Sequence, residues 1–263
     1  MTVRIERPAE AVAELVLDRP EALNAISTAQ ARAITAACAE LADDGSLSVV
    51  LLTSSSPKAF CVGADLKERN SFDDAALAAQ RPVFRSAFGA VLDLPVPTVA
   101  AVDGYALGGG FELALCCDLI VASSAAVLGL PETGVGLVPG GGGTQLLVRR
   151  VGSNRAADLL FTARHVDAEE AHRLGAVDRL VPAGQARAAA LELAGLIASR
   201  SPIALRAAKQ ALRRGSDLDL ESALVVENRA WEEAAFSADR REGIAAFNER
   251  RAPRWRGTED AGD

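Results

Sequence analysis

The chain has 263 residues, a formal net charge of -7 at neutral pH, 49% hydrophobic residues and 24% charged ones. This is the composition of an ordinary soluble globular protein, either one large α/β domain or a domain with a smaller appendage, and it excludes disordered and collagen-like classes. An acidic surface repels nucleic-acid phosphates, no apolar run of about 18 residues is present and the N-terminus carries no export signal, so the expectation is a cytoplasmic protein with no nucleic-acid or membrane partner.

In chain order, Val12 to Asp18 reads as a strand, Thr28 to Asp43 as a helix closed by Gly45, and Ser48 to Thr53 as a strand buried on both faces. A helix is expected after Gly63. Helical spacing runs from Asp73 to Leu92 and breaks at Pro95-Val96-Pro97, after which Thr98 to Val102 is a short buried strand. Gly109 to Cys116 reads as a helix, with Leu119 to Ala122 and Ala126 to Leu130 as strands, the second stopping at Pro131. Past the turn at Pro182-Ala183-Gly184 the pattern is helical: Gln185 to Ser199, Pro202 to Arg214, Leu218 to Phe236 and Arg240 to Arg250. The division expected is a core over 1–199 and a helical C-terminal segment over 200–263.

Cys38, Cys61, Cys116 and Cys117 lack C-x-x-C spacing, so they are expected to be buried thiols and no metal site is indicated. With only His165 and His172, and neither H-E-x-x-H nor G-x-S-x-G, catalysis would have to run on carboxylates and backbone.

Three glycine-rich stretches carry that possibility. Ala59 to Leu66 follows a buried strand and opens a helix at Gly63, so the Ala64 N–H is a candidate donor to an anionic oxygen; the plainer account is a glycine turn with Asp65 at a helix start. In Asp103 to Leu113, Gly108-Gly109-Gly110 at a strand-to-helix junction is more glycine than a turn needs, which points to a close approach to backbone. The spacing matches neither a dinucleotide fingerprint nor a Walker phosphate loop. A Gly109 N–H beside that of Ala64 could hold a developing enolate. The third stretch, Leu130 to Thr144, sets Glu132 beside Pro131 after an apolar strand. A surface or helix-N-terminal carboxylate is the plainer account of Glu132 or Glu112 taken singly.

Taken together, Arg19-Pro20 with Leu23-Asn24-Ala25, Phe60 through Leu66, Gly104 through Glu112, Cys117-Asp118, Pro131-Glu132 and Pro139 through Gln145, with Arg240-Arg241-Glu242-Gly243 and Phe247, resemble the crotonase (enoyl-CoA hydratase/isomerase) family over nearly the whole chain. The resemblance implies an α/β spiral of ββα units with a helical C-terminal trimerisation segment, assembled as a homotrimer or dimer of trimers. It implies an acyl-CoA thioester substrate and no separate cofactor, coenzyme A being part of the substrate. Ala64 and Gly109 would form the oxyanion hole, Glu112 and Glu132 would be the catalytic acid/base pair, and Gly140 would support the water site. Ala22, Leu23, Val62, Ala64, Asp65 and Leu66 would border coenzyme A, with Lys67 and Arg250 as phosphate contacts, the latter from a neighbouring subunit. Glu21 departs from the family pattern, in which a cation is common, and weakens a phosphate site there.

The activity this implies is reversible addition of water to a trans-2-enoyl-CoA, giving a 3-hydroxyacyl-CoA. The alternatives are a double-bond isomerase, which would need chiefly one base, another acyl-CoA enzyme of the same fold running dehalogenation, ring cleavage, hydrolysis or decarboxylation, for which no further carboxylate stands out, and a non-catalytic acyl-CoA binder, which could lose a glutamate. RNA binding would want a basic helix. Arg206, Lys209, Arg213 and Arg214 are the one candidate cluster, read here as a solvated helix face. The acyl pocket is expected to draw on side chains from Phe72 to Val91 and from the C-terminal helices.

Overall fold

A computed structural model describes residues 2–257. The elements are β1 (Val3–Ala9), β2 (Val12–Leu17), α1 (Thr28–Asp43), β3 (Val49–Ser54), β4 (Ala59–Cys61), α2 (Leu66–Arg69), α3 (Asp74–Leu92), β5 (Thr98–Val102), β6 (Tyr105–Leu107), α4 (Gly109–Cys116), β7 (Leu119–Ser123) and β8 (Val127–Gly129). They continue as α5 (Gly143–Val151), α6 (Ser153–Thr162), β9 (Val166–Asp167), α7 (Ala168–Leu174), β10 (Arg179–Val181), α8 (Ala186–Ala198), α9 (Pro202–Gly215), α10 (Leu220–Ala235) and α11 (Ala238–Glu249).

Two sheets are built in parallel by the same chain rhythm. The larger has the order β1-β2-β3-β5-β7-β10 and the smaller β4-β6-β8-β9. Each strand pair β3/β4, β5/β6 and β7/β8 gives one strand to each sheet before a helix, which is the ββα spiral of the crotonase fold. Parallel pairing of β2 with β3, β3 with β5 and β5 with β7 requires both faces to be covered. The alternation in β3 shows how. Val50 and Leu52 face the main core with Ile34 and Leu41 of α1 and Phe84 and Phe88 of α3, while Val49 and Leu51 face Ala186, Ala190, Leu193 and Ala194 of α8. Alanines on α8 let its backbone lie close to the sheet, which fills the interior without aromatics.

On that face Glu14 of β2 is fully buried, and the chain answers with a fork: Arg187 Nε and Nη2 each donate at 2.7 Å to its two oxygens, and Thr53 Oγ1 donates at 2.7 Å. Removing Arg187 would leave a buried charge in apolar surroundings, at about 3–5 kcal/mol.

The C-terminal helices require a correction to the sequence reading. The basic cluster of α9 is not a solvated face. Lys209 is buried and its Nζ donates to Val96 O at 2.7 Å and pairs with Asp118 at 2.8 Å; Arg213 reaches Asp118 Oδ1 at 2.9 Å and Cys116 O at 3.0 Å; Arg206 donates to Leu47 O at 3.0 Å. Arg214 alone of the four is exposed. The cations are drawn in by unsatisfied carbonyls, including the last one of α4, where a helix end favours positive charge. The segment after α11 runs without regular structure to residue 257, and the remainder of the expected 200–263 segment lies outside the described residues. All four cysteines are buried free thiols.

Candidate active site

The carboxyl ends of β4 and β6 bring the first two glycine stretches side by side. Gly63 has φ +90°, a left-handed conformation, and a Cβ there would lie 2.9 Å from Leu107 O and 3.1 Å from Gly109 N, so only glycine lets the two loops touch. Ala64 follows Gly63, and Gly109 is the first residue of α4. Neither the Ala64 N–H nor the Gly109 N–H donates to an acceptor among the described residues. Both residues line a cavity of about 630 Å³, together with Glu112 and Glu132. The structure therefore gathers the four residues that the sequence singled out from three separate stretches.

Glu112 is one turn into α4 and only 3% exposed. Its Oε1 accepts from Gly141 N at 2.6 Å and Gly143 N at 2.8 Å, where the 139–143 loop feeds α5. Burial pushes its carboxyl above the usual range, and the amides of Gly143, Gly141 and Gly140 pull it back. Gly140 thus borders Glu112, and its carbonyl accepts from Arg81 Nη1 at 2.6 Å.

Glu132 stands on a 3-10 turn, Pro131–Val135, and lies against the Gly108 backbone: a Cβ on Gly108 would be 2.9 Å from Glu132 Oε1. Its Oε2 is buried without a hydrogen-bond partner. Burial raises its carboxyl to about 7, with the Glu112 charge adding to the effect. The amides around Glu112 favour its charged form more than anything around Glu132 does, so where the pair shares one proton Glu132 is the favoured carrier.

Of the expected coenzyme A contacts, Val62, Ala64 and Leu66 line the cavity. Ala22, Leu23, Asp65, Lys67 and Arg250 do not. Leu23 bonds the neighbouring loop through its carbonyl, which accepts from Val62 N at 3.3 Å. Asp65 caps α2 and pairs with Arg19 at 3.1 Å. Lys67 is exposed on α2, and Arg250 is exposed just past α11 in a left-handed conformation. Glu21 is 72% exposed, 3.8 Å from Arg19.

The wall opposite the glutamates comes from the Phe72 to Val91 stretch expected to shape the acyl pocket, although the sequence does not single out the individual residues, whereas no residue of the C-terminal helices lines the cavity among the described residues. Leu77, Arg81, Phe84 and Phe88 recur on one face of α3 and line the cavity with Arg69 of α2 and Val138. The spacing on α3 was the available signal, but it marks a face without saying what the face meets.

Comparison with known proteins agrees with this geometry. The family model described as enoyl-CoA hydratase/isomerase matches residues 7–258. YngF of Bacillus subtilis, named for the same family, is 43% identical over 250 residues, covering 94% of this chain and 95% of its own. The mitochondrial methylglutaconyl-CoA hydratase of Mus musculus is 38% identical over 257 residues, covering 96% and 82%. A crystal structure of enoyl-CoA hydratase from Bacillus anthracis superposes with a TM-score of 0.96 at 38% identity, covering 98% of this chain and 100% of that one. The paired carboxylates, the two adjoining loops and these likenesses over nearly the full length lead to one statement: the chain belongs to the crotonase (enoyl-CoA hydratase/isomerase) family of acyl-CoA enzymes.

Proposed function

We propose that the chain is an enoyl-CoA hydratase, adding water reversibly across the double bond of a trans-2-enoyl-CoA. The observation that carries this reading is the pair of glutamates lining one cavity beside two unengaged amides. In the proposed reaction the thioester oxygen sits against the N–H groups of Ala64 and Gly109. Two such donors stabilise the enolate by about 3 kcal/mol each. As the water oxygen bonds to the β carbon, one of its protons passes to Glu112, and the α carbon takes the proton carried by Glu132. A later proton exchange returns the pair to its starting state. The favoured protonation of the two acids supports this division of labour.

Coenzyme A would lie along Val62 and Leu66, bordered further out by Ala22, Leu23, Asp65 and Lys67. Assembly as a trimer or pair of trimers belongs to the same reading, with Arg250 supplied across the interface. Leu220, Trp231 and Phe236 at 75%, 62% and 72% exposure, and Phe247 at 83%, are apolar surface that such an assembly would cover.

The test is hydration of crotonyl-CoA, followed by loss of enone absorbance, in wild type, Glu112→Gln and Glu132→Gln. Each variant is expected to lose at least about a hundredfold in kcat with substrate binding mostly kept. Near-normal hydration by either variant would contradict the two-carboxylate mechanism.

A further inference from the structure

The cavity contains a second piece of built chemistry that neither the hydration step nor an apolar acyl chain uses. Arg69 and Arg81 both line it, and neither forms an ion pair with a carboxylate among the described residues. Arg69 is held in place on two sides. Its Nε donates to Gln80 Oε1 at 2.9 Å, and its guanidinium lies 4.9 Å from the Phe84 ring centroid, stacked as a cation over the ring.

Gln80 is itself buried and fastened, its amide nitrogen donating to Thr28 Oγ1 at 2.8 Å and to Glu68 Oε2 at 3.1 Å, while Glu68 Oε2 also accepts from Thr28 N at 2.8 Å. A chain of hydrogen bonds from α1 through α3 thus orients one edge of the guanidinium. The remaining Nη groups have no acceptor among the described residues.

The charges facing this point come from two neighbouring elements. Glu68 on α2 partly compensates Arg69, Arg81 on α3 adds a like charge, and Asp74 at the start of α3 is an exposed carboxylate on the cavity rim. Burial disfavours the Arg69 cation, so the arrangement calls for an anion.

The location says which part of a substrate would meet it. The Phe88 ring is 3.4 Å from where a Gly109 Cβ would sit, Phe84 follows with its ring centroid 6.4 Å from that of Phe88, and Arg69 lies over Phe84. Gly109 at the start of α4, Phe88 and Phe84 on α3 and Arg69 on α2 are thus successive neighbours, as thioester carbonyl, short carbon chain and terminal anion would be along an acyl group.

Resting on the hydratase reading of the site, we infer that the acyl chain this enzyme selects is short and ends in a carboxylate, which the free edge of Arg69 binds with Arg81 adding positive charge. The substrate class is the CoA thioesters of short 2-enedioic acids. The planar guanidinium presents parallel N–H donors to a carboxylate, which a neutral methyl terminus cannot use. Gln80 is the positioning residue.

Binding of saturated esters to the full-length protein, measured by calorimetry, tests this without requiring turnover. The pairs are glutaryl-CoA against valeryl-CoA and adipyl-CoA against hexanoyl-CoA, with free coenzyme A as control. Wild type is expected to bind the dicarboxylic member of at least one pair about tenfold or more tightly, and Arg69→Met to bring that ratio close to one. Arg69→Lys keeps the charge without the fork and is expected to retain part of the preference; it also serves if the Met variant does not fold.

A wild-type preference for the neutral ester in both pairs overturns the proposal, as does a ratio that Arg69→Met leaves unaltered. So does an equal loss for both esters and free coenzyme A, which would assign the guanidinium to a nucleotide phosphate. Hydration of glutaconyl-CoA, a short 2-enedioyl thioester, is scored separately beside crotonyl-CoA: failure with both, the binding preference intact, sinks the hydratase reading alone.

Discussion

On the α4 wall of the cavity Glu112 is enclosed by a helix and fastened by two glycine amides, whereas on the facing 3-10 turn Glu132 keeps one buried oxygen without a partner. Both carboxyls are raised by burial, yet only Glu112 receives the glycine amides that restrain the rise. The difference teaches how one residue type can meet two environments in a single cavity: amide donors favour the charged form, and without them burial favours the neutral one.

The comparison is most exposed to the paired glutamine variants. Losses of roughly a hundred- to ten-thousandfold in kcat are expected for each. In Glu112→Gln the new side-chain carbonyl could still accept from Gly141 and Gly143, so the substitution should leave the loop in place and remove only the charge. A crystal structure of that variant with the 139–143 loop displaced would break the assignment.

A smaller effect is expected from Gly143→Ala. The added Cβ would sit 3.0 Å from Glu112 Oε1 and 2.9 Å from Pro139 Cβ, loosening the amide that holds the carboxylate. A fall of about tenfold in crotonyl-CoA hydration, with about 1–3 kcal/mol lost from denaturant unfolding, is the expected result. Full activity would show that the amides do not set the behaviour of Glu112.

The smallest effect is on stability. Glu132 moves from 4.5 when unfolded to about 7 when folded, so the native state holds a proton that the unfolded chain releases. Its contribution to stability is therefore fully present below pH 4.5, declines as pH rises toward about 7, and is flat above. Because the group is partly exposed, screening reduces the effect to about 1 kcal/mol. Glu132→Gln should remove that slope from urea unfolding measured across this range. A slope identical in wild type and variant would place the titration elsewhere.

Much of this site was legible in the sequence because its parts are chemically conspicuous. A triple glycine before Glu112 and a glutamate beside Pro131 are hard to place in ordinary turns, and the apolar runs at Val49 to Leu52 and Thr98 to Val102 mark strands buried on both faces. Between 143 and 181 β9 has two residues and β10 three, too few for a period to emerge, whereas α5 and α6, of nine and ten residues, are long enough to show one and are absent from the sequence reading. Lys209 and Arg213 misled for another reason. Their helix is amphipathic by charge, and a cation bonded to carbonyls looks the same in sequence as one in water.

The sequence by itself determined the longer helices outside 143–181, the central strands, the glycine-rich stretches and the two candidate acids, because these depend on local conformation and on residue chemistry. The tertiary structure alone decided that the Gly63 and Gly109 backbones touch, that Asp118 anchors α9, and that Arg69 and Arg81 share a cavity with the glutamates. Such meetings join residues far apart in the chain. They follow from which faces the closed spiral brings together, and periodicity along one element carries no record of its partner.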